Sequence, residues 1–223
     1  MAEQVFRDAK RQLTGALANA ESEALHWMAC HTPARVNSDH LTLLGFLAMI
    51  GAGLCYSLSG KQNLYLHAVN ACLVLNWVGD SLDGTLARYR NRLRPKYGYY
   101  VDHIIDTFGT LILVGGLAFS GYMSERVALL VLIAFYMLAI NVYLTTYSLG
   151  TFKISFGAFS PTELRILLIV GNLFLLYKPK VRVFGQIYLL FDVGGTIAIL
   201  GMVLILVVTT VISTRKLYRM ERI

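Results

Sequence analysis

Four aspartates stand out in a chain that is otherwise poor in charge. Two lie in Asp80-Ser81-Leu82-Asp83-Gly84-Thr85-Leu86-Ala87-Arg88. After nine further residues, two more lie in Gly98-Tyr99-Tyr100-Val101-Asp102-His103-Ile104-Ile105-Asp106. On helices, Asp80 and Asp83 share a face at i and i+3. Gly98, Asp102 and Asp106 share a face at i, i+4 and i+8. Bringing the two faces together would set four carboxylates against one another, which is repulsive unless a cation is present. All-oxygen ligands favour a hard divalent ion, so Mg²⁺ or Mn²⁺ is expected, as two ions. Two metals can clamp a diphosphate and stabilise its leaving group. Gly84, Ala87 and Gly98 each lie about one turn from an acid and would let a flat base or a phosphate approach the backbone. Arg88 adds a planar donor fork for phosphate. Pairing of the acids with loop arginines is the plainer alternative, but it leaves the small residues unexplained.

The elements that must position these groups are membrane spans. The chain has 223 residues, 56% apolar and 15% charged, with a net charge of +7. Its mean hydropathy is +0.58. A soluble domain carries about 25% charged residues. Disorder, a coiled coil and a fibrous repeat are excluded. Six apolar runs suit helices across a hydrocarbon core of ~30 Å: 41–59, 64–82, 100–122, 126–149, 163–177 and 190–212. The fifth is short. Spans two and three should be antiparallel neighbours joined by a loop of about a dozen residues, so their acidic faces can meet at one end of an all-α bundle.

With both termini cytoplasmic, fifteen of the twenty Lys and Arg residues fall inside, as the positive-inside rule requires. The 178–182 cluster runs against it. No repeat or second soluble domain is visible. Residues 1–35 form a cytoplasmic juxtamembrane segment and 36–223 the six-span domain. Within the first, Phe6, Leu13, Leu17, Ala20, Ala24 and Met28 recur near helical period, with Arg7, Lys10, Arg11, Glu21 and Glu23 largely off the stripe. This predicts an amphipathic helix over 3–29. It lies either in the membrane interface or on the cytoplasmic ends of the bundle, and Pro33 ends it.

The pattern D-x-x-D-G-x-x-A-R, a spacer, then G-x-x-x-D-x-x-x-D resembles the signature of the CDP-alcohol phosphotransferases, class I. Asp80, Asp83, Gly84, Ala87, Arg88, Gly98, Asp102 and Asp106 fill every fixed position. The resemblance covers nearly the whole chain. It implies a membrane enzyme of phospholipid synthesis in which an alcohol hydroxyl displaces CMP from a CDP-linked donor. It also implies Asp80, Asp83, Asp102 and Asp106 as metal ligands, Gly84, Ala87 and Arg88 as the CDP-binding edge, Asp106 as general base, and a homodimer. His103 makes the third acid part of D-H-x-x-D. That is similar to the branch joining CDP-choline or CDP-ethanolamine to diacylglycerol, where a histidine can be the base, helped here by Glu163. Otherwise His103 fixes Asp102 or a phosphate. The donor is therefore either CDP-diacylglycerol or a CDP-headgroup.

Ser160-Pro161-Thr162 reads as a helix start. Arg165 just beyond it is expected in the wall of the site, facing an acceptor phosphate or lipid headgroup. Arg88-Tyr-Arg-Asn-Arg-Leu-Arg-Pro-Lys96 is read as a positive-inside loop attracting anionic lipid or CDP, not as a nucleic-acid patch. Asn70, Asn76, Asn141 and Asn172 are expected to hydrogen-bond between helices. Gly115-Gly116, Gly194-Gly195 and Gly201 should mark close packing or a dimer face. Asp192 reads as an interfacial acid. Asn37 reads as the cap of span one, because the chain departs there from the family's P-N-x-L-T stretch, which also weakens a ligand role for Thr42. Cys30, Cys55 and Cys72 are expected to be small packing residues. An ion-coupled transporter is the competing function, since acids within spans also serve ion pathways. It would place them at the midplane of related halves. Compact size and short loops favour a bacterial inner membrane over the endoplasmic reticulum.

Overall fold

The computed structural model describes residues 18–149 and 161–221. Residues 3–17 of the expected first helix, and Ser160, lie outside the described residues. The order is α1 (Ala18–His31), α2 (Ser38–Ser59), α3 (Leu64–Tyr89), α4 (Pro95–Phe119), α5 (Glu125–Leu149), α6 (Pro161–Leu175), β1 (Lys180–Val183), β2 (Gln186–Leu189) and α7 (Leu190–Met220). By length and composition α2, α4, α5 and α7 could each cross a membrane. α3 is long enough but carries Asp80, Asp83 and Arg88 towards its end. α6 has 15 residues, or about 22 Å at a rise of 1.5 Å per residue.

The helices outrun the apolar runs that announced them. The expected dozen-residue loop shrinks to Arg90–Arg94, because α3 continues to Tyr89 and α4 starts at Pro95. Hydropathy marks the part of a helix in hydrocarbon, not where its hydrogen bonds stop. Pro95 starts α4 in the first turn, where its missing N–H costs nothing. Residues 180–189, which had no expected structure, form an antiparallel hairpin. Its turn, Phe184-Gly185, has positive φ at both residues, the geometry that matches strand twist in two-residue hairpins.

α2 packs against both α3 and α4, and glycines set the distances. A Cβ on Gly79 of α3 would stand 2.5 Å from the Gly45 amide nitrogen of α2. A Cβ on Gly116 of α4 would stand 2.0 Å from the Gly53 carbonyl oxygen of α2. Gly195 sits against Val127 of α5, whereas Gly115, Gly194 and Gly201 face open space. So of the expected packing glycines, Gly116 and Gly195 make helix contacts.

Polar side chains tie the helices as expected. Tyr56 on α2 donates to Asn172 of α6 at 2.8 Å, and Asn172 donates to Asn70 of α3 at 2.7 Å. Asn141 donates to Thr209 and Thr210 of α7. Asp192 does more than sit at an interface: it accepts the Ser124 N–H at 2.7 Å, just ahead of α5. All three cysteines are free. Cys55 and Cys72 pack on the main core, but Cys30 is exposed and is not a packing residue.

α1 packs on α2 and α3, with the phase of its buried face turned by one residue from the expected stripe. Leu25 and Ala29 are buried with Leu41, Leu82 and Leu86 of α2 and α3. Ala20 and Ala24 of the expected stripe are exposed, and Glu21 is buried instead. Leu25 buries more apolar surface than an alanine. Glu21 follows it inward because donors await it there.

Gly79→Val should lower the melting temperature of detergent-solubilised protein, at a cost of about 2–3 kcal/mol or more from overpacking against backbone. Gly115→Val, facing open space, should leave it within about 2 °C. Thermal unfolding of the two variants checks the contrast.

Candidate metal centre

A five-residue link joins α3 to α4, and each of the two packs against α2. The acids spaced along the end of α3 and the start of α4 come together across that link. Asp80, Asp102 and Asp106 each offer a carboxylate oxygen, and the three oxygens lie within 4.8 Å of one another. Oxygens on opposite sides of an octahedral Mg²⁺ stand about 4 Å apart. The donor set and its span thus fit a single hard divalent cation. Asp106 is exposed and forms the rim; Asp80 and Asp102 are half-buried.

Asp83 is steered separately. Its Oδ2 accepts from Thr42 Oγ1 of α2 at 2.6 Å, and its Oδ1 accepts from the Gly84 N–H. Ser38 Oγ, also from α2, donates to the Asp83 carbonyl at 3.0 Å. Asn37 caps α2 as expected, and its N–H donates to His40 Nδ1. Thr42, discounted in the sequence, contacts an acid of the signature. Nothing local could have shown it, since the partners are 41 residues apart.

Arg165 stands in the wall of the site. Its Nη2 pairs with Asp80 Oδ2 at 2.5 Å, with side chains 13% and 18% exposed. Its Nε donates to Asn76 Oδ1 at 2.8 Å, and Asn76 in turn donates to the Gly45 carbonyl. An arginine of α6 thus pairs with an acid of the signature. In the α3–α4 loop, Arg90 holds the α1–α2 connection through the carbonyls of Thr32, Pro33 and Val36. Arg94 pairs with Asp39 and lies over the Tyr97 ring.

The remaining candidates sit around this core. Arg88 is exposed, and its Nη2 donates to Thr85 Oγ1. A Cβ at Gly98 would meet nothing within 4 Å, and one at Gly84 only the Arg88 guanidinium. Ala87 is half-buried on the same stretch of α3. His103 points towards α5: its ring lies 4.1 Å from that of Tyr99 and 5.0 Å from that of Tyr143. Its Nδ1 meets the Tyr99 carbonyl at 2.6 Å. A carbonyl only accepts, so Nδ1 carries the proton. Glu163 is half-buried in the first turn of α6.

The family model for CDP-alcohol phosphatidyltransferases matches residues 36–212. The chain belongs to that family. It is therefore a membrane-embedded transferase of phospholipid biosynthesis, from a family that uses a divalent metal. This answers the transporter alternative. No curated protein sequence matches the chain. Its fold is similar to that of the phosphatidylinositol phosphate synthase PgsA1 of Mycobacterium tuberculosis, solved with CDP-DAG bound. The TM-score is 0.56 at 14% identity, covering 90% of this chain and 94% of the synthase. At that identity the likeness concerns the multi-pass membrane fold.

In this CDP-alcohol phosphatidyltransferase, the three clustered acids are the residues best placed to hold the divalent metal. Asp102→Asn should weaken Mn²⁺ binding at least tenfold. Thr42→Val, which frees one oxygen of Asp83, should weaken it by about tenfold, as loss of a residue orienting a ligand typically does. Electron paramagnetic resonance of free Mn²⁺ in titrations of each variant measures both.

Proposed function

We propose that the chain joins an alcohol to a CDP-linked lipid, with CDP-diacylglycerol as donor and CMP as leaving group. The observation that carries this is the meeting of Asp80, Asp102 and Asp106 from the two halves of the signature. Asp83 completes the ligand set for two divalent ions, Mg²⁺ or Mn²⁺. When bound, the metal spreads the charge that develops on the diphosphate and on departing CMP. The chain's own residues do the rest. Gly84, Ala87 and Gly98 let the cytidine and its phosphates lie close to the helices. Arg88, exposed beside them, supplies a charged donor fork.

Asp106 takes the proton of the attacking hydroxyl, because it stands at the open rim while its neighbours face inward. The new O–P bond forms as the bond between the two phosphates breaks. Arg165 and Glu163, on α6, line the acceptor side. His103 is a plausible second base, but its packing between Tyr99 and Tyr143 favours a role in fixing α4 against α5. That weakens the case for a CDP-headgroup donor. The bound CDP-DAG of the synthase with this fold supports the lipid-donor reading. The remainder of the reading comes from sequence: six spans, with the site on the cytoplasmic side of a bacterial inner membrane, and a homodimer.

Detergent-solubilised protein with Mg²⁺ should release CMP from CDP-diacylglycerol in the presence of a small polar alcohol. It should release none from CDP-choline or CDP-ethanolamine with diacylglycerol. Asp106→Asn should lower the rate 10²–10⁴-fold, about the contribution of a general base, and chelation should abolish it. Release from the CDP-headgroup donors alone would reverse the donor assignment. Release from neither, by folded protein, would overturn the reaction.

A further inference from the structure

Glu21 lies on α1, ahead of the residues that match the family model, which begin at 36. It is only 9% exposed. Burying a carboxylate is costly unless donors replace its water, and here three converge on one oxygen. Glu21 Oε1 accepts from Thr162 Oγ1 at 2.7 Å, from Trp77 Nε1 at 2.9 Å and from Ser81 Oγ at 3.5 Å. One oxygen thereby joins α1, α3 and α6.

The positions of the partners matter. Ser81 follows Asp80 directly, and Trp77 precedes it by three residues. Thr162 lies three residues before Arg165, the cation paired with Asp80. The oxygen therefore ties α3 to α6 within one turn of both members of that pair. An acid is also favourably placed at the N-terminal end of α6, where unpaired N–H groups gather. α6 is short, and a further tie to α3, Asn172 to Asn70, lies about two turns beyond Arg165. The Arg165 grip is not over-determined either, since Nη1 is buried without a hydrogen-bond partner.

We propose that Glu21 is a positioning residue for the reaction. Through Thr162 it fixes the N-terminal turn of α6, and so holds Arg165 against Asp80 at the edge of the metal centre. α1 is then part of the catalytic unit as well as a helix on its surface. This inference rests on the proposed transfer reaction.

The test uses the full chain in detergent with two readouts. One is amide hydrogen exchange at 165–168, near the start of α6. The other is kcat/KM for CMP release. Glu21→Met keeps the bulk and removes the acceptor. It should speed that exchange at least tenfold and lower kcat/KM at least tenfold, with little change in melting temperature. Glu21→Gln keeps an acceptor oxygen and should hold both within about threefold of the parent, given that a neutral acceptor bonds less strongly than a charged one. Thr162→Val should reproduce Glu21→Met, and the double variant should add little, as for groups acting as one unit. It also serves if Glu21→Met fails to fold.

Unchanged exchange in Glu21→Met would overturn the inference. So would faster exchange with unchanged kcat/KM, which would make Glu21 a tie of the fold alone. Parent protein that releases no CMP from any donor would overturn the reaction itself and the positioning role with it. The exchange data would still tell whether Glu21 fastens α6.

Discussion

Three carboxylate oxygens within 4.8 Å of one another repel, and everything around them must resist that repulsion. At an effective dielectric constant of ~20, each pair costs roughly 3 kcal/mol, less where solvent screens the exposed Asp106. The sum is comparable with the whole stability of a typical domain, about 5–15 kcal/mol. A cluster of this kind needs a rigid frame. It is held by helices that cannot slide apart, because backbone meets backbone where α2 crosses α3 and α4. The glycines of α2, α3 and α4 thus serve the site: they allow contacts that keep two acidic faces together. Arg165 supplies a compensating charge on a clustered acid, and it too is held, through Asn76, to α2.

Polar groups within the bundle follow the same logic. In hydrocarbon an unpaired amide or carboxylate is penalised, so each such group selects a neighbour and fixes a register. Asn172 sets α6 against α2 and α3 at one level; nearer the acids Asn76 links α3 to α2 and α6, and Glu21 links α1 to α3 and α6. The two outer helices, α5 and α7, have large apolar surfaces facing outward, as lipid contact requires. They need fewer such ties, and the Asn141 bond and the Asp192 cap provide theirs.

Much of the site was legible because helical spacing carries it. Once Asp80 and Asp83, and Asp102 and Asp106, are placed on helices, the shared faces follow from the period alone. The interhelical asparagines were legible because an amide in an apolar run has few other fates. What escaped depended on tertiary partners. Thr42 meets Asp83 only because α2 crosses α3 there. The loop between the acidic helices is shorter than hydropathy predicts, because hydropathy reports the bilayer, not the helix end. The hairpin at 180–189 was invisible because a single Phe-Gly turn between short strands carries little pattern. For α1 the expected stripe counted alanines as heavily as leucines. The buried face runs through Glu21, Leu25 and Ala29, a spacing of i, i+4 and i+8. A carboxylate in register with a buried leucine was the available signal.

That carboxylate changes how the bundle's parts relate to its chemistry. A surface helix that served only as an interfacial float would bury apolar side chains and leave its acids in water. α1 instead sends an acid inward, where it meets a tryptophan and a serine of the aspartate-bearing helix and a threonine of the helix carrying Arg165. The desolvation of Glu21 is tolerated only if those donors are present together. They are present together only when α1, α3 and α6 are all in register. The polar knot therefore senses the same geometry that the metal centre needs. A metal centre open at the Asp106 rim must be held from its buried residues, and through Thr162 and Arg165 the Glu21 knot reaches one of them, Asp80.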